Sequence, residues 1–131
     1  MDKYFEQYNP NPQGKETGDC VIRALCCITN KSWEDIYDTL CGLAKQMHTM
    51  PNSTDDDYML KRMSYFNMER VRVPRTRRGE KSLTVQQFCE EHPIGCFILK
   101  LGHHEVAVKN GKYYDLYPHR NKKVYSYWRK K

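Results

Sequence analysis

The sequence lacks long apolar runs, internal repeats and low-complexity tracts. No apolar segment approaches the roughly 18 residues that a membrane-spanning helix needs. The first residues, Met1-Asp2-Lys3-Tyr4, also lack the apolar core of a secretory signal. These absences predict a cytoplasmic protein with no membrane partner.

Cysteine is plentiful, but its spacing suits neither zinc nor a secreted disulfide framework. The chain has six cysteines, with no Cys-x2-Cys pair and no paired histidine spacing of the zinc-binding kind. Disulfide frameworks belong to exported chains, and nothing here directs export. We therefore expect free thiols, no metal and no cofactor.

The length and composition fit one folded domain over residues 1–131. The 131 residues are 39% hydrophobic and 12% aromatic, which is enough apolar material for a single modest core. Prolines and glycines between Asn9 and Gly18 exclude a regular helix there. We expect an extended arm or loop over 1–19, a mainly helical part over 20–92 and mainly strands over 93–131.

Apolar side chains at three- and four-residue spacing predict helices in the first two thirds of the chain. The first helix begins at or beside Cys20, with Gly18-Asp19 where a helix cap belongs. A second helix is expected over about 33–47, and a third after a cap at Ser53 or Thr54. A short fourth helix is expected from a capping box at Thr84 to near His92.

The last third of the chain is predicted to form a sheet. Strands are expected over 94–99, 105–109, 112–117 and 124–128, and Asn110-Gly111 is a strong hairpin signal between the middle two. Helices first and strands second predict an α+β fold, with N-terminal helices packed on a C-terminal antiparallel sheet.

Much of the net charge of +6 lies in two segments, one between residues 70 and 81 and the other in the tail from 120 to 131. A basic surface of this kind attracts a phosphate backbone or an acidic protein, and it also serves solubility. The basic residues of the first segment are Arg70, Arg72, Arg75, Arg77, Arg78 and Lys81.

Cys20 is the cysteine whose position favours chemical reactivity. It lies at a predicted helix start, directly after Gly18-Asp19. A helix N-terminus and a neighbouring imidazolium both stabilise a thiolate, which is the nucleophilic form of cysteine. The alternative is a cysteine that simply packs under the helix.

His104 and Asp115 flank the predicted hairpin and are expected to meet across it. A two-residue turn at Asn110-Gly111 places Asp115 opposite Val106, which makes it a diagonal neighbour of His104 on the same face. A carboxylate at that position can orient an imidazole and stabilise its cation.

Two motifs resemble the small papain-like cysteine peptidases of phage and bacterial genomes. The segment at 17–25 is TGDCVIRAL, and the segment at 102–115 is GHHEVAVKNGKYYD. In that family a Gly-Asp-Cys-x-x-Arg-Ala helix start supplies the nucleophile, and a strand opening His-x-Val-Ala-Val with a later Tyr-Asp supplies the base and its orienting carboxylate. The resemblance implies a papain-like fold with Cys20, His104 and Asp115 as catalytic residues, acting in the host cytosol if the chain is phage-encoded.

A papain-like site also needs a hydrogen-bond donor for the oxyanion, often a side-chain amide a few residues before the nucleophile. Gln13 is the first choice for this role and Asn11 is the second, with the backbone N–H of Cys20 as the other donor. The alternative for Gln13 is a loop glutamine with a purely structural role.

These residues predict a cysteine hydrolase that cleaves an amide, peptide or isopeptide bond through a thioester on Cys20. Its partner would be a protein or peptide substrate of host or phage origin. The same triad can also transfer the acyl group to an amine. The hypothesis of another class is a non-catalytic module that binds an acidic protein or nucleic acid through the basic loop and tail. Nucleic acid is less favoured because the chain has no recognised nucleic-acid motif.

Overall fold

Helices and one mixed sheet make up an α+β fold. The computed structural model describes residues 2–74, 77 and 79–131. No helix in these ranges is both long and apolar enough to cross a membrane. In chain order their elements are β1 (Phe5–Gln7), α1 (Cys20–Thr29), α2 (Trp33–Gln46), α3 (Asp56–Tyr65), β2 (Met68–Arg72), α4 (Val85–Glu91), β3 (Cys96–Lys100), β4 (Glu105–Lys109), β5 (Lys112–Asp115) and β6 (Ser126–Lys130).

The C-terminal strands β3 to β6 pair antiparallel, as expected, but β1 from the N-terminal arm joins them in parallel and makes the six-stranded sheet mixed. The strand order is β1-β5-β4-β3-β6-β2, with β1 parallel to β5 and the other neighbouring pairs antiparallel. β1 has three residues inside the expected arm, and β2 is the charged run MERVR. Neither segment has the apolar alternation that predicts a strand. Each becomes a strand by pairing with a segment far away in the sequence, which a local pattern does not report.

The hairpin of β4 and β5 has the predicted register. Ala107 pairs with Tyr114, and Lys109 pairs with Lys112. Asn110 and Gly111 both have positive φ, 50° and 79°, as a tight two-residue turn between antiparallel strands requires. His104 directly precedes β4 and Asp115 ends β5, so the hairpin brings both residues to one end of the sheet.

Helices cover both faces of the sheet. One core contains Leu25 of α1 and Ala107 of β4, and a second contains Phe88 of α4 and Val106 of β4. Consecutive residues of β4 thus enter different cores, as alternation along a strand requires. α1 packs directly on β4, which sets the N-terminus of α1 beside the end of the sheet that carries the hairpin residues.

Candidate active site

Cys20 is the first residue of α1, and its side chain is half-buried. Asp19 occupies the N-cap position, as the sequence predicts, but its carboxylate makes no capping bond. It accepts hydrogen bonds from Arg23 Nη1 and Trp33 Nε1, each at 2.8 Å, because a buried guanidinium is a stronger partner than a backbone amide. The first turn of α1 therefore has no side-chain cap from Asp19, and its dipole favours negative charge beside Cys20.

All six cysteines are free thiols, as expected. Three of them are buried, and burial raises the pKa of Cys26 and Cys27 to about 11 and that of Cys89 to about 12. A thiol with a raised pKa is a poor nucleophile at neutral pH. Cys20, Cys41 and Cys96 are half-buried, and Cys20 is the one whose thiol contributes to the raised pKa of a histidine.

His104 and Asp115 are in direct contact, as the hairpin register predicts. His104 Nε2 lies 2.5 Å from Asp115 Oδ2. Since an ionised carboxylate only accepts hydrogen bonds, Nε2 donates, and Nδ1 is the ring nitrogen left for Cys20. The pKa of His104 is raised from 6.5 to about 9, and the hydrogen bond with Asp115 is the largest cause of this rise. The neighbouring Cys20 is the second largest cause. The imidazolium is therefore the main form of His104 at neutral pH.

Asp115 is the centre of a buried polar network and is only 2% exposed. Its Oδ1 lies 3.2 Å from Arg23 Nε and accepts the N–H of Leu116 at 2.7 Å. Its Oδ2 accepts from His104 and, at 2.6 Å, from His119 Nε2. Burial alone would raise the pKa of Asp115, but the hydrogen bonds from the two histidines outweigh it and hold this pKa well below its usual range. The carboxylate is thus both ionised and fixed in orientation.

His119 is the member of this network that sequence reasoning missed. It lies in the segment after β5, where its backbone N–H donates to the hydroxyl of Tyr113 at 2.9 Å. The four-residue spacing from Asp115 is visible in the sequence, but such a spacing predicts a contact only where a helix is expected. No helix or strand pattern covers this segment, so no local signal identifies the contact.

The ligand-type atoms of His104, Asp115 and His119 lie within 4.8 Å of one another. Two imidazoles and a carboxylate are a donor set that divalent transition metals accept. The Nε2–Oδ2 separations of 2.5 and 2.6 Å are nevertheless hydrogen-bond distances, shorter than the roughly 3 Å between ligands that are each about 2.1 Å from a zinc ion. Arg23 also places a positive charge on the same carboxylate. The contacts observed are those of a proton-sharing network.

The two amides expected to serve the oxyanion lie away from the cavity beside Cys20. Asn11 Oδ1 accepts the backbone N–H groups of Gln13 at 2.9 Å and Lys15 at 3.3 Å, which makes Asn11 part of a local turn. Gln13 is exposed, and neither amide lines that cavity. The backbone N–H of Cys20 is at the start of α1, where no capping side chain occupies it.

A cavity of about 420 Å³ opens beside Cys20, on the face of the sheet that α1 covers. Apolar and aromatic side chains from α1, α2 and α3 line part of it, and the rings of Trp33 and Tyr37 stack with centroids 5.1 Å apart. Polar and charged residues, among them Asp19, Asn52 and Lys100, line the rest. Trp33 therefore both anchors Asp19 and lines the cavity. His103 also lines it, whereas His104 lies outside its wall.

The basic segment at 70–81 is partly occupied by internal contacts. Arg70 Nη1 lies 2.8 Å from Asp56 Oδ1, and the guanidinium lies 5.4 Å from the centre of the Trp128 ring. The side chains of Arg72, Arg77 and Lys81 are exposed. Arg75 and Arg78 lie outside the described residues.

Cys20, His104 and Asp115 have the chemistry of a nucleophile, a base and a group that orients the base. A proton can pass from the Cys20 thiol to His104 Nδ1, while Asp115 holds Nε2 and stabilises the resulting cation. The cavity beside Cys20 leaves room for a group carrying a carbonyl. Comparisons of this chain with protein-family models, with curated proteins and with solved structures return no match.

Proposed function

We propose that the chain is a papain-like cysteine hydrolase that cleaves an amide, peptide or isopeptide bond in a protein or peptide. One observation carries the proposal. A half-buried thiol at the N-terminus of α1 is close enough to an imidazole to help raise its pKa, and Nε2 of that imidazole is bonded to a buried carboxylate. The papain-like fold belongs to the same proposal, supported by a helix-borne Cys20 and a hairpin-borne His104 and Asp115. A phage-encoded chain would act in the host cytosol, on a host or phage protein.

Acylation begins with the thiolate of Cys20 and the imidazolium of His104. The sulfur attacks the carbonyl carbon, and the negative oxygen that forms accepts the backbone N–H of Cys20 at the start of α1. As the carbon–nitrogen bond breaks, the proton on His104 Nδ1 moves to the leaving amine. The products of this step are a free amine, a thioester on Cys20 and a neutral imidazole.

Deacylation uses the same imidazole as a base. His104 Nδ1 takes a proton from water, and the oxygen attacks the thioester carbon. The carbon–sulfur bond then breaks, which releases a carboxylic acid and restores the thiolate. Asp115 keeps its bond to Nε2 throughout, so Nδ1 faces Cys20 in both steps. An amine that replaces the water would make the product of acyl transfer, and mass analysis with an added amine acceptor separates the two reactions.

The experiment that tests the proposal is mass spectrometry of the full chain after exposure to a peptide aldehyde and to a mixture of peptide and isopeptide substrates. We expect an aldehyde adduct on Cys20 and new carboxyl termini among the substrates. Cys20→Ala should abolish both, and Cys41→Ala is the matched control because Cys41 is equally half-buried but lies outside the site. Cleavage by Cys20→Ala at the wild-type rate, or the absence of both adduct and cleavage in the wild type, would overturn the proposal.

A non-catalytic binding module is the second candidate, and the exposed Arg72, Arg77 and Lys81 favour it. This function predicts that an acidic peptide binds equally to the wild type and to Cys20→Ala. It also predicts weaker binding when Arg72 and Lys81 are changed to glutamine. Binding to duplex DNA that disappears between about 50 and 200 mM salt would indicate a nonspecific charge effect.

A further inference from the structure

His119 touches the carboxylate that orients the proposed base, yet the proposed chemistry gives it no role. His119 Nε2 lies 2.6 Å from Asp115 Oδ2, and His104 Nε2 lies 2.5 Å from the same oxygen. One oxygen of an ionised carboxylate has lone pairs for two donors, so both rings can bond to it together. His104 therefore shares its acceptor with a second imidazole.

His119 is held more firmly than His104. Its backbone N–H donates to the hydroxyl of Tyr113 at 2.9 Å, and its ring packs on the Tyr113 ring with centroids 4.9 Å apart. Tyr113 is itself fully buried. The side chain of His119 is 13% exposed, whereas that of His104 is 37% exposed. Of the two donors on Asp115 Oδ2, His119 is thus the fixed one, and His104 is the one with freedom to turn.

The proton of His119 is confined to the ring nitrogen that faces Asp115. Nε2 donates, because the carboxylate only accepts. Nδ1 of His119 is buried and has no hydrogen-bond partner in the part of the chain that the structure describes. A proton on Nδ1 would be an unpaired donor on a buried cation, which is more unfavourable than an unpaired lone pair on a neutral ring. His104 has its Nδ1 left for the thiol of Cys20, so proton exchange belongs to His104 and His119 is a constant donor.

Loss of this donor would leave a buried lone pair of Asp115 Oδ2 without a partner. Asp115 is 2% exposed, and burial tends to raise its pKa, whereas the hydrogen bonds from His104 and His119 lower it. An unpaired buried acceptor is unfavourable, so the carboxylate would turn or admit water to satisfy it. Oδ1 accepts the N–H of Leu116 at 2.7 Å, which holds one oxygen and leaves the other to the two histidines. The direction of Oδ2 toward His104 therefore depends on His119.

We propose that His119 is a positioning residue, a fixed donor that keeps Asp115 Oδ2 directed at His104. The inference rests on the proposed function, because it concerns the residues that activate the thiol of that same site. With Oδ2 in place, the imidazolium of His104 stays near Cys20 and stabilises the thiolate. His119 acts through Asp115 and does not line the cavity beside Cys20.

The test measures the iodoacetamide alkylation rate of Cys20 in the full chain at pH 6 and at pH 10, by peptide mapping with EDTA present throughout. At pH 6 the thiolate depends on the imidazolium, whereas at pH 10 the thiol ionises without it. The ratio of the two rates therefore reports the thiolate–imidazolium pair. His119→Phe keeps the ring and removes the donor, so we expect this ratio to fall about tenfold, the size of one hydrogen bond to a charged group. An unchanged ratio in the folded variant would overturn the proposal.

A conservative variant separates the donor from the packing. His119→Gln supplies a side-chain N–H near the position of Nε2 but lacks the ring, so the ratio should return to within about threefold of the wild type. A residue that mattered for its packing on Tyr113 would instead tolerate phenylalanine better than glutamine, and that order would overturn the proposal. Where hydrolysis is measured, His119→Phe should lower kcat and leave KM unchanged, because His119 does not line the cavity.

His92→Phe is the matched control. His92 is also half-buried, its ring stacks on Phe88 with centroids 3.9 Å apart, and its Nδ1 lies 2.9 Å from the Phe88 carbonyl oxygen. It lies at the turn end of the hairpin, where a Cβ added to Gly111 would be 3.8 Å from the His92 carbonyl oxygen, and Asp115 is at the other end of β5. His92→Phe should leave the rate ratio unchanged. An equal fall in His92→Phe and His119→Phe would overturn the proposal.

A measurement on the wild type keeps the proposal falsifiable if the variants misfold. Imidazole ¹⁵N NMR at pH 7 should show the His119 proton on Nε2 and none on Nδ1, and a proton on Nδ1 would overturn the proposal.

The alkylation ratio also separates this role from the proposed function, because it is measurable even if no amide is hydrolysed. An active hydrolase with an unchanged ratio in His119→Phe would refute the role of His119 alone. A ratio that falls in a chain that cleaves no amide would support the role of His119 and count against the hydrolase. A wild-type Cys20 as slow as Cys41 at pH 6 would count against both.

Discussion

Changing Asp115 to asparagine tests whether this carboxylate serves the reaction through His104. Asp115 accepts on both oxygens, from Arg23 and Leu116 on Oδ1 and from His104 and His119 on Oδ2. Asparagine replaces one oxygen with an NH2 group, so two of these four donors lose their acceptor whichever way the amide turns. If the NH2 group faces His104, the ring must present an unprotonated Nε2, and its proton then moves to Nδ1, on the side of Cys20.

The size of the effect follows from the His104 cation. With a pKa of about 9, His104 is about nine-tenths protonated at pH 8. Without the carboxylate charge the pKa falls toward its ordinary 6.5, and the protonated fraction at pH 8 falls to about 3%, which is a loss of about 30-fold. The wrong tautomer and the lost orientation add to this, so we expect the hydrolysis rate to fall by about 10³- to 10⁴-fold.

The variant must be shown to fold, because Asp115 is also a partner of the buried Arg23. Arg23 keeps its bond to Asp19, so we expect a loss of about 1–3 kcal/mol of unfolding free energy. Asp19→Asn is the matched control, since it weakens the same guanidinium without touching His104. Circular dichroism melts set an assay temperature at which all three proteins are folded. A folded Asp115→Asn protein that keeps activity within tenfold of the wild type, or an Asp19→Asn protein that loses as much, would refute the reasoning.

Three further predictions concern the thiol, the imidazole and the hairpin turn. At pH 6 iodoacetamide should label Cys20 at least tenfold faster than any of the other five cysteines, because a helix N-terminus and an imidazolium both stabilise its thiolate; uniform slow labelling would make Cys20 a structural residue. The His104 pKa is raised from 6.5 to about 9, so the contribution of the imidazolium to stability is fully present below pH 6.5 and is lost as pH rises through about 9. Hydrolysis should fall over the same upper range when measured from pH 6 to 10, and a fall centred near pH 6.5 would show that Asp115 does not hold the cation. Gly111→Ala should lower the free energy of unfolding by about 1–2 kcal/mol, since φ is +79° and the added Cβ would lie 3.3 Å from Pro93 Cα. Gly42→Ala, in α2 with no atom within 4 Å of its added Cβ, should instead raise the free energy of unfolding by up to about 1 kcal/mol in the same urea titration.

Elements with strong local signals could be predicted from the sequence. α1 begins at Cys20, and the capping box at Thr84 forms with both of its hydrogen bonds to Gln87. The predicted strand boundaries are less accurate where a buried residue does not belong to the sheet. Val124 is buried, but its N–H donates to the carbonyl of Leu83 at 2.9 Å, so β6 begins two residues later, at Ser126. An apolar pattern reports burial, and only the backbone pairing decides which buried residues belong to the sheet.

The candidate site divides in the same way between local and long-range information. The contact of His104 with Asp115 follows from the register of a short hairpin, which two turn residues determine. The bonds of Asp19 to Trp33 and of Arg62 to Glu105 join residues 14 and 43 positions apart and depend on how α2, α3 and the sheet pack. Buried polar groups must find partners wherever packing allows, so a charged residue on a helix face gives no sign of its partner. The residues that move a proton at this site are thus close to predictable, whereas the residues that shape what enters the cavity depend on tertiary structure.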